Sequence, residues 1–252
     1  MLSISKRLVM FCTTRGIVLH SIPYKDTSAI IYMYTEAFGR ASYMVSRRRS
    51  KKSPLVKSLF IPLSVLDLEV EHLNKREIHR IKEARVCLPL QEILCDPIKN
   101  VLALFLSEFL FRVVKETEPD PRLFCFLYDS IQVLECADKG VANFHLVFLL
   151  RLLRYLGIFP NIENRRAGYY FDMLNSVFTV DQPAHPHFLG KEDTEVFARL
   201  LKMSYENMSL YVFSRQERVR IIQKILEYYH LHLPDFAEIK SLAVLQSLFD
   251  AG

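Results

Sequence analysis

The chain has 252 residues, half of them apolar and 12% aromatic, enough to build a folded core and too many for a disordered polypeptide. Residues 1–82 carry fifteen Lys/Arg against six Asp/Glu, a net of +9, and residues 83–252 carry eighteen against twenty-two, a net of −4. That asymmetry suggests two domains with different partners, and seven glycines without G-x-x-x-x-G-K-[ST] or G-x-G-x-x-G exclude a glycine-rich phosphate loop.

In chain order, the apolar stretch Leu8 to Cys12 is too short for the core of a signal peptide. Two strands follow, Gly16–Ile22 and Ser28–Thr35, separated by the turn-like Pro23-Tyr24-Lys25-Asp26. Glu36–Gly39 is a second turn and Arg40–Ser46 a third strand. In Leu66–Glu71 the alternation sets Leu66, Leu68 and Val70 against Asp67, Glu69 and Glu71. A last strand is predicted near Glu77–Val86. Five short strands in this space suit a small closed barrel of the OB type.

From Pro89 the period becomes helical. Asp96-Pro97 and Asp120-Pro121 each pair an N-cap with a proline at the first helical position, opening helices to about Lys115 and Ala137. Ala142–Leu156 is a third, terminated by Gly157. Residues 158–190 read as irregular or strand-like. Helices resume at Asp193–Ser204, after the capping box Ser214-Arg215-Gln216-Glu217, and at Lys240–Phe249. The fold expected is α+β: a five-stranded OB barrel over 1–85, then a helical domain over 86–252 with an insert near 158–190. Val101–Val114 and Phe144–Leu156 are interrupted by Glu108, Arg112, Arg151 and Arg154, so neither reads as a membrane span and a soluble, cytoplasmic chain is expected. The five cysteines show no C-x-x-C spacing, which fits free thiols in a reducing compartment, with Cys125 and Cys136 expected to be buried.

The run Ser46-Arg47-Arg48-Arg49-Ser50-Lys51-Lys52-Ser53 places five cations within six residues, with no local acid. A polyanion would supply the missing charge, each phosphate contact releasing a counterion. The alternative is a solvated tract. Around it, Arg15, Lys25, Arg40 and Lys57 add charge, and Tyr32, Tyr34 and Tyr43 are candidates for stacking on unpaired bases, though Tyr32 and Tyr34 could equally face the barrel interior. Arg112, Arg151 and Arg154 interrupt apolar helices. They could rim a groove for an acidic peptide, or simply reach from core helices to solvent. Asp67, Glu69 and Glu71 have no His to complete a metal site, His185 and His187 no cysteine partner, and no nucleophile motif is present. The chain therefore reads as a binding protein with no catalytic residues, metal or cofactor. Two other readings stay open: an RNA-binding OB protein and a metal-dependent nuclease using Asp67 and Glu69.

Five segments in order resemble the recombination protein O (RecO) family of bacterial DNA-repair proteins. They are Thr14-Arg15-Gly16-Ile17-Val18-Leu19 with Tyr24-Lys25-Asp26-Thr27-Ser28; Thr35-Glu36-Ala37-Phe38-Gly39-Arg40; the cationic run; Leu152-Leu153-Arg154-Tyr155-Leu156-Gly157; and Ser241-Leu242-Ala243-Val244-Leu245. The resemblance implies an N-terminal OB-fold, binding of single- and double-stranded DNA, annealing of complementary strands, and help in loading recombinase onto DNA coated by single-strand-binding protein. It also implies two partners, recombination protein R and the acidic tail of single-strand-binding protein. Many members of that family carry four zinc-binding cysteines after the position of Gly157. Here Ile158–Pro186 has none, so packing by Tyr169, Tyr170, Phe171 and Phe178 is expected to hold this segment.

Overall fold

In the computed structural model, which describes residues 11–26, 28–46, 57–73, 76–163 and 165–248, the β-branched and aromatic runs become five strands. These are β1 (Phe11–Tyr24), β2 (Ser28–Thr35), β3 (Gly39–Ser46), β4 (Val65–Glu71) and β5 (Ile78–Leu88), closed into a barrel in the order β1-β2-β3-β5-β4. β1 serves two neighbours: Phe11–Ile17 pair with β4 and Gly16–Tyr24 with β2, with an irregularity between Val18 and His20. The barrel closes through a parallel pairing of Ser42–Met44 with Ile78–Arg80. The expected five-stranded barrel is therefore present. Its interior holds Ile31, Met33, Tyr43, Val45, Leu66, Leu68 and Val70, the alternate residues that the period of two selects.

Seven α-helices follow among the described residues: α1 (Gln91–Cys95), α2 (Pro97–Val113), α3 (Pro121–Cys136), α4 (Phe144–Tyr155), α5 (Lys191–Leu200), α6 (Arg215–His232) and α7 (Ser241–Leu248). Asp96 Oδ1 accepts from the amides of Ile98 and Lys99 at 2.7 and 3.0 Å, and Asp120 Oδ1 from those of Arg122 and Leu123, so both Asp-Pro pairs act as caps. At Gly157 (φ +71°) the Ile158 amide donates to Leu153 O and the Gly157 amide to Arg154 O, which ends α4 in a Schellman turn. The short helix α1 is not marked by any sequence signal beyond Pro89. Cys125 and Cys136, expected inside, are exposed: each lies on the polar edge of its α3 turn, and all five thiols are free.

The chain divides into two compact units, Met1–Cys95 with Ala103–Gln132, and Asp96–Leu102 with Val133–Gly252. In the first, the later part of α2 and most of α3 cover the outer face of β1–β3. Ser107 Oγ donates to Leu19 O at 2.5 Å, Tyr32 packs edge-on against Phe111, and Tyr34 lies against Phe124. In the second, segment 158–190 forms a three-stranded sheet, β6 (Tyr170–Asp172), β7 (Val177–Thr179) and β8 (Phe188–Leu189), in the order β7-β6-β8. Phe171 is fully enclosed between Phe178, Phe197 and Tyr228, so aromatic packing holds this segment; Tyr169 and Tyr170 are half-buried. No helix among the described residues is long and apolar enough to cross a membrane.

Candidate nucleic-acid interface

The cations singled out in the sequence divide into three kinds once they are placed. Arg15, on β1, forms a bidentate pair with Glu36, Nε and Nη2 donating to the carboxylate at 2.8 and 2.7 Å, and its guanidinium stands 5.2 Å from the rings of Phe124 and Tyr128. The pair holds the Glu36 carboxyl below its usual range and the Arg15 guanidinium above its own. Arg40 is half-buried. Its Nη1 donates to Phe111 O and Val114 O, both at 2.7 Å, which satisfies carbonyls at the end of α2, and its guanidinium lies 4.6 Å from the Phe111 ring. Burial lowers its pKa, with Tyr32 acting in the other direction. Tyr43 is wholly enclosed in the barrel, so its ring has no face to offer a base, and burial raises its pKa beyond the usual phenol range. Tyr32 and Tyr34 face away from the barrel interior, yet helices cover them.

A second group is Lys25, which is exposed, and Lys57. Lys25 occupies the β1–β2 turn at φ +53°, its ammonium 5.5 Å from the exposed ring of Tyr24. Lys57 begins a single 3-10 turn, Lys57–Leu59. The third group, Arg47, Arg48, Arg49, Lys51 and Lys52, lies outside the described residues.

Two clefts in the first unit differ in chemistry. A cleft of about 520 Å³ against β1, β4 and β5 is walled by Glu36, Asp67, Glu69 and Glu83 with Arg15 and Arg85. Its neighbouring cations are paired: Lys82 donates to Glu69 at 2.7 Å and Arg76 to Glu71 at 3.4 Å. Among the described residues, no three His, Cys, Asp or Glu are placed to hold a metal. An anionic backbone gains nothing along this face. At the other end of β1, a cavity of about 310 Å³ is lined by Ser21, Ala29, Ile31, Val45, Ser46 and Phe60. No sequence signal points to it, because a gap among small residues at strand ends is a product of assembly.

Of the arginines expected to rim a peptide groove, Arg112 belongs to the first unit and reaches Glu108 one turn back at 3.7 Å. Arg151 and Arg154 belong to the second. Arg151 lies over Tyr205 and 3.9 Å from Glu206, and Arg154 stacks 3.7 Å from the Phe159 ring. A separate apolar cleft of about 110 Å³ between α5 and α6 is lined by Phe197, Leu200, Phe213 and Ile221 with Arg199 and Lys224 at its edge. No motif in the sequence marks it.

Comparison with known proteins agrees with the residue pattern over nearly the whole length. The family described as Recombination protein O N terminal matches residues 10–89, and Recombination protein O C terminal matches residues 94–243. A DNA repair protein RecO of Azobacteroides pseudotrichonymphae is 47% identical over 241 residues, 96% of this chain and 100% of that protein. One from Bacteroides fragilis is 46% identical over 242 residues (96% and 100%), and one from Flavobacterium psychrophilum 33% over 238 (94% and 98%). With both halves matched in order, the chain belongs to the recombination protein O family of DNA repair proteins.

Proposed function

We propose that this protein binds single- and double-stranded DNA, anneals complementary strands, and helps load recombinase onto DNA coated by single-strand-binding protein, making and breaking no covalent bond. The observation that supports this best is family membership across the whole chain, joined to a net charge of +9 over residues 1–82. Two DNA strands repel along their phosphates, and a cationic surface that binds both lowers that barrier without reading bases. The phosphate contacts are assigned to Arg47, Arg48, Arg49, Lys51, Lys52, Lys57 and Lys25. Arg15 and Arg40 act one step removed, by fastening helices to the barrel. The test is annealing of complementary oligonucleotides by the purified chain without nucleotide or metal. A rate equal to that of the strands alone would overturn the proposal, and preference for RNA in competition would favour the RNA-binding alternative.

The partners proposed are recombination protein R and the acidic tail of single-strand-binding protein. For the tail, the support is a pair of guanidiniums one turn apart on α4, Arg151 and Arg154, each beside an aromatic ring. A fluorescent tail peptide titrated against Arg154→Ala should bind several-fold more weakly while DNA affinity holds. Loss of DNA binding instead would place these arginines on the nucleic-acid path.

A further inference from the structure

Toward the tip of the β1–β2 hairpin, the outer face of the sheet carries rings and cations together. Alternation turns His20, Ile22 and Tyr24 of β1 outward, and the register sets them beside Tyr32, Ile30 and Ser28 of β2. Met44 of β3 continues the row of Ile22 and Ile30, and Arg80 of β5 ends it. His20 is exposed, Ile22 and Tyr24 are 39 and 40% exposed, and Ile30 and Met44 are half-buried. We propose that this face is a stacking platform for unpaired bases of single-stranded DNA. The proposal rests on the DNA-binding reading above and gives it specific residues.

Bracing, spacing and charge each point to that occupant. His20 packs on Phe111 with ring centres 4.6 Å apart, and Phe111 meets Tyr32 edge-on at 5.0 Å, so the imidazole is held in place from behind. His20, Ile22 and Tyr24 follow one another at about 7 Å along the strand. That is roughly twice the 3.4 Å step of a duplex strand, and it matches a single strand whose bases are drawn apart. Cations stand at both ends of the row. The Lys25 ammonium lies 5.5 Å from the Tyr24 ring, and the guanidiniums of Arg40 and Arg112 lie 4.6 and 5.8 Å from that of Phe111. Arg112 reaches Glu108 at 3.7 Å, longer than a hydrogen bond, so that pair does not consume its charge. Phosphates on either side of a stacked base therefore meet positive charge here. The core of a protein interface is instead depleted in lysine and in charge generally, which disfavours a protein on this face.

A duplex keeps its bases stacked on one another, so it offers the platform nothing beyond its phosphates. Stacking thus separates single strands from duplex on a surface that otherwise holds both by charge. Every base has a π-face, so the platform needs no particular sequence. A base held by its face also keeps its hydrogen-bonding edge uncovered, which leaves it open to pairing with a complementary strand and makes the platform compatible with annealing.

The experiment titrates the full chain with a thymidine oligomer, an abasic oligomer of equal length, and a blunt duplex. Tyr24→Ala and His20→Ala should each weaken the thymidine oligomer about 5- to 10-fold, the low end for one stacked base. Both should leave the abasic strand and the duplex within twofold, while the parent protein prefers thymidine to abasic. Tyr24→Phe keeps the ring and should bind as the parent does. Parallel losses on all three ligands, a Tyr24→Phe as weak as Tyr24→Ala, or a parent indifferent to abasic substitution would each overturn the platform while leaving general DNA binding intact. No loss in either alanine variant also overturns it, and leaves the face to a protein partner. A parent that binds none of the three overturns the DNA-binding reading and the platform together. Tighter binding of a uridine oligoribonucleotide overturns DNA as the occupant. If His20→Ala, which removes packing from Phe111, does not melt cooperatively, Tyr24→Ala at its exposed position carries the same comparison.

Discussion

Arg40 and Gly39 illustrate how single residues tie a barrel to helices distant in sequence. Gly39 sits at φ +58°, and a Cβ there would stand 2.6 Å from Glu118 O, while the Arg40 amide donates to Glu116 O at 3.0 Å. Gly39→Ala should therefore cost about 2 kcal/mol or more, from left-handed strain and from overpacking, read as a shifted denaturation midpoint. A second residue-level prediction concerns acid. His79 is buried, stacked on His72 at 3.8 Å between ring centres, and accepts the Leu73 amide on Nδ1. Burial, then His72 and Arg76, lower its pKa to about 4. Unfolded chains protonate this histidine from about pH 6.5 downward and the folded protein only near 4, so the unfolded state binds more protons in between. Stability should be full above pH 6.5 and fall as pH drops from 6.5 to 4. His79→Gln should flatten that fall, and an unchanged slope in the variant would assign it to other groups.

At the scale of elements, helix starts were legible because capping is local. Asp96, Asp120 and Ser214 each bond to amides two or three residues on, a distance the sequence displays directly. Ser214 Oγ accepts from the Glu217 amide at 3.3 Å and Glu217 Oε2 from the Ser214 amide at 2.7 Å, the reciprocal box expected. Ser214→Ala should cost about 1 kcal/mol in thermal or chemical denaturation. The sheet of segment 158–190 was less legible: its strands have two or three residues each, too short for a period to show. It is held instead by contacts remote in sequence. Phe171 meets Phe197 and Tyr228, and Tyr228 Oη donates to Ile158 O at 2.8 Å. Phe171→Ala should then destabilise the second unit by about 3–5 kcal/mol, and a loss below 1 kcal/mol would mean the sheet is held otherwise.

For the whole molecule, charge and fold divide the labour. Replacing Arg47, Arg48, Arg49, Lys51 and Lys52 together with alanine should weaken DNA binding and reduce the slope of log affinity against log salt by about 3–4, with the melting temperature unchanged. An unaltered slope would make the run a solvated tract. Composition, alternation and caps determined the barrel, the helices and the cationic run, because each is written in neighbouring residues. The tertiary structure alone decided which candidates were free to act. A period of two states that Tyr32 and Tyr34 share a face, but not that Phe111 and Phe124, some eighty residues later, cover it. For the same reason Arg15 and Arg40 read as surface cations until Glu36 and the carbonyls ending α2 claimed their guanidiniums, and the cavity between Ser21 and Ser46 exists only because three strands and a distant phenylalanine meet around it.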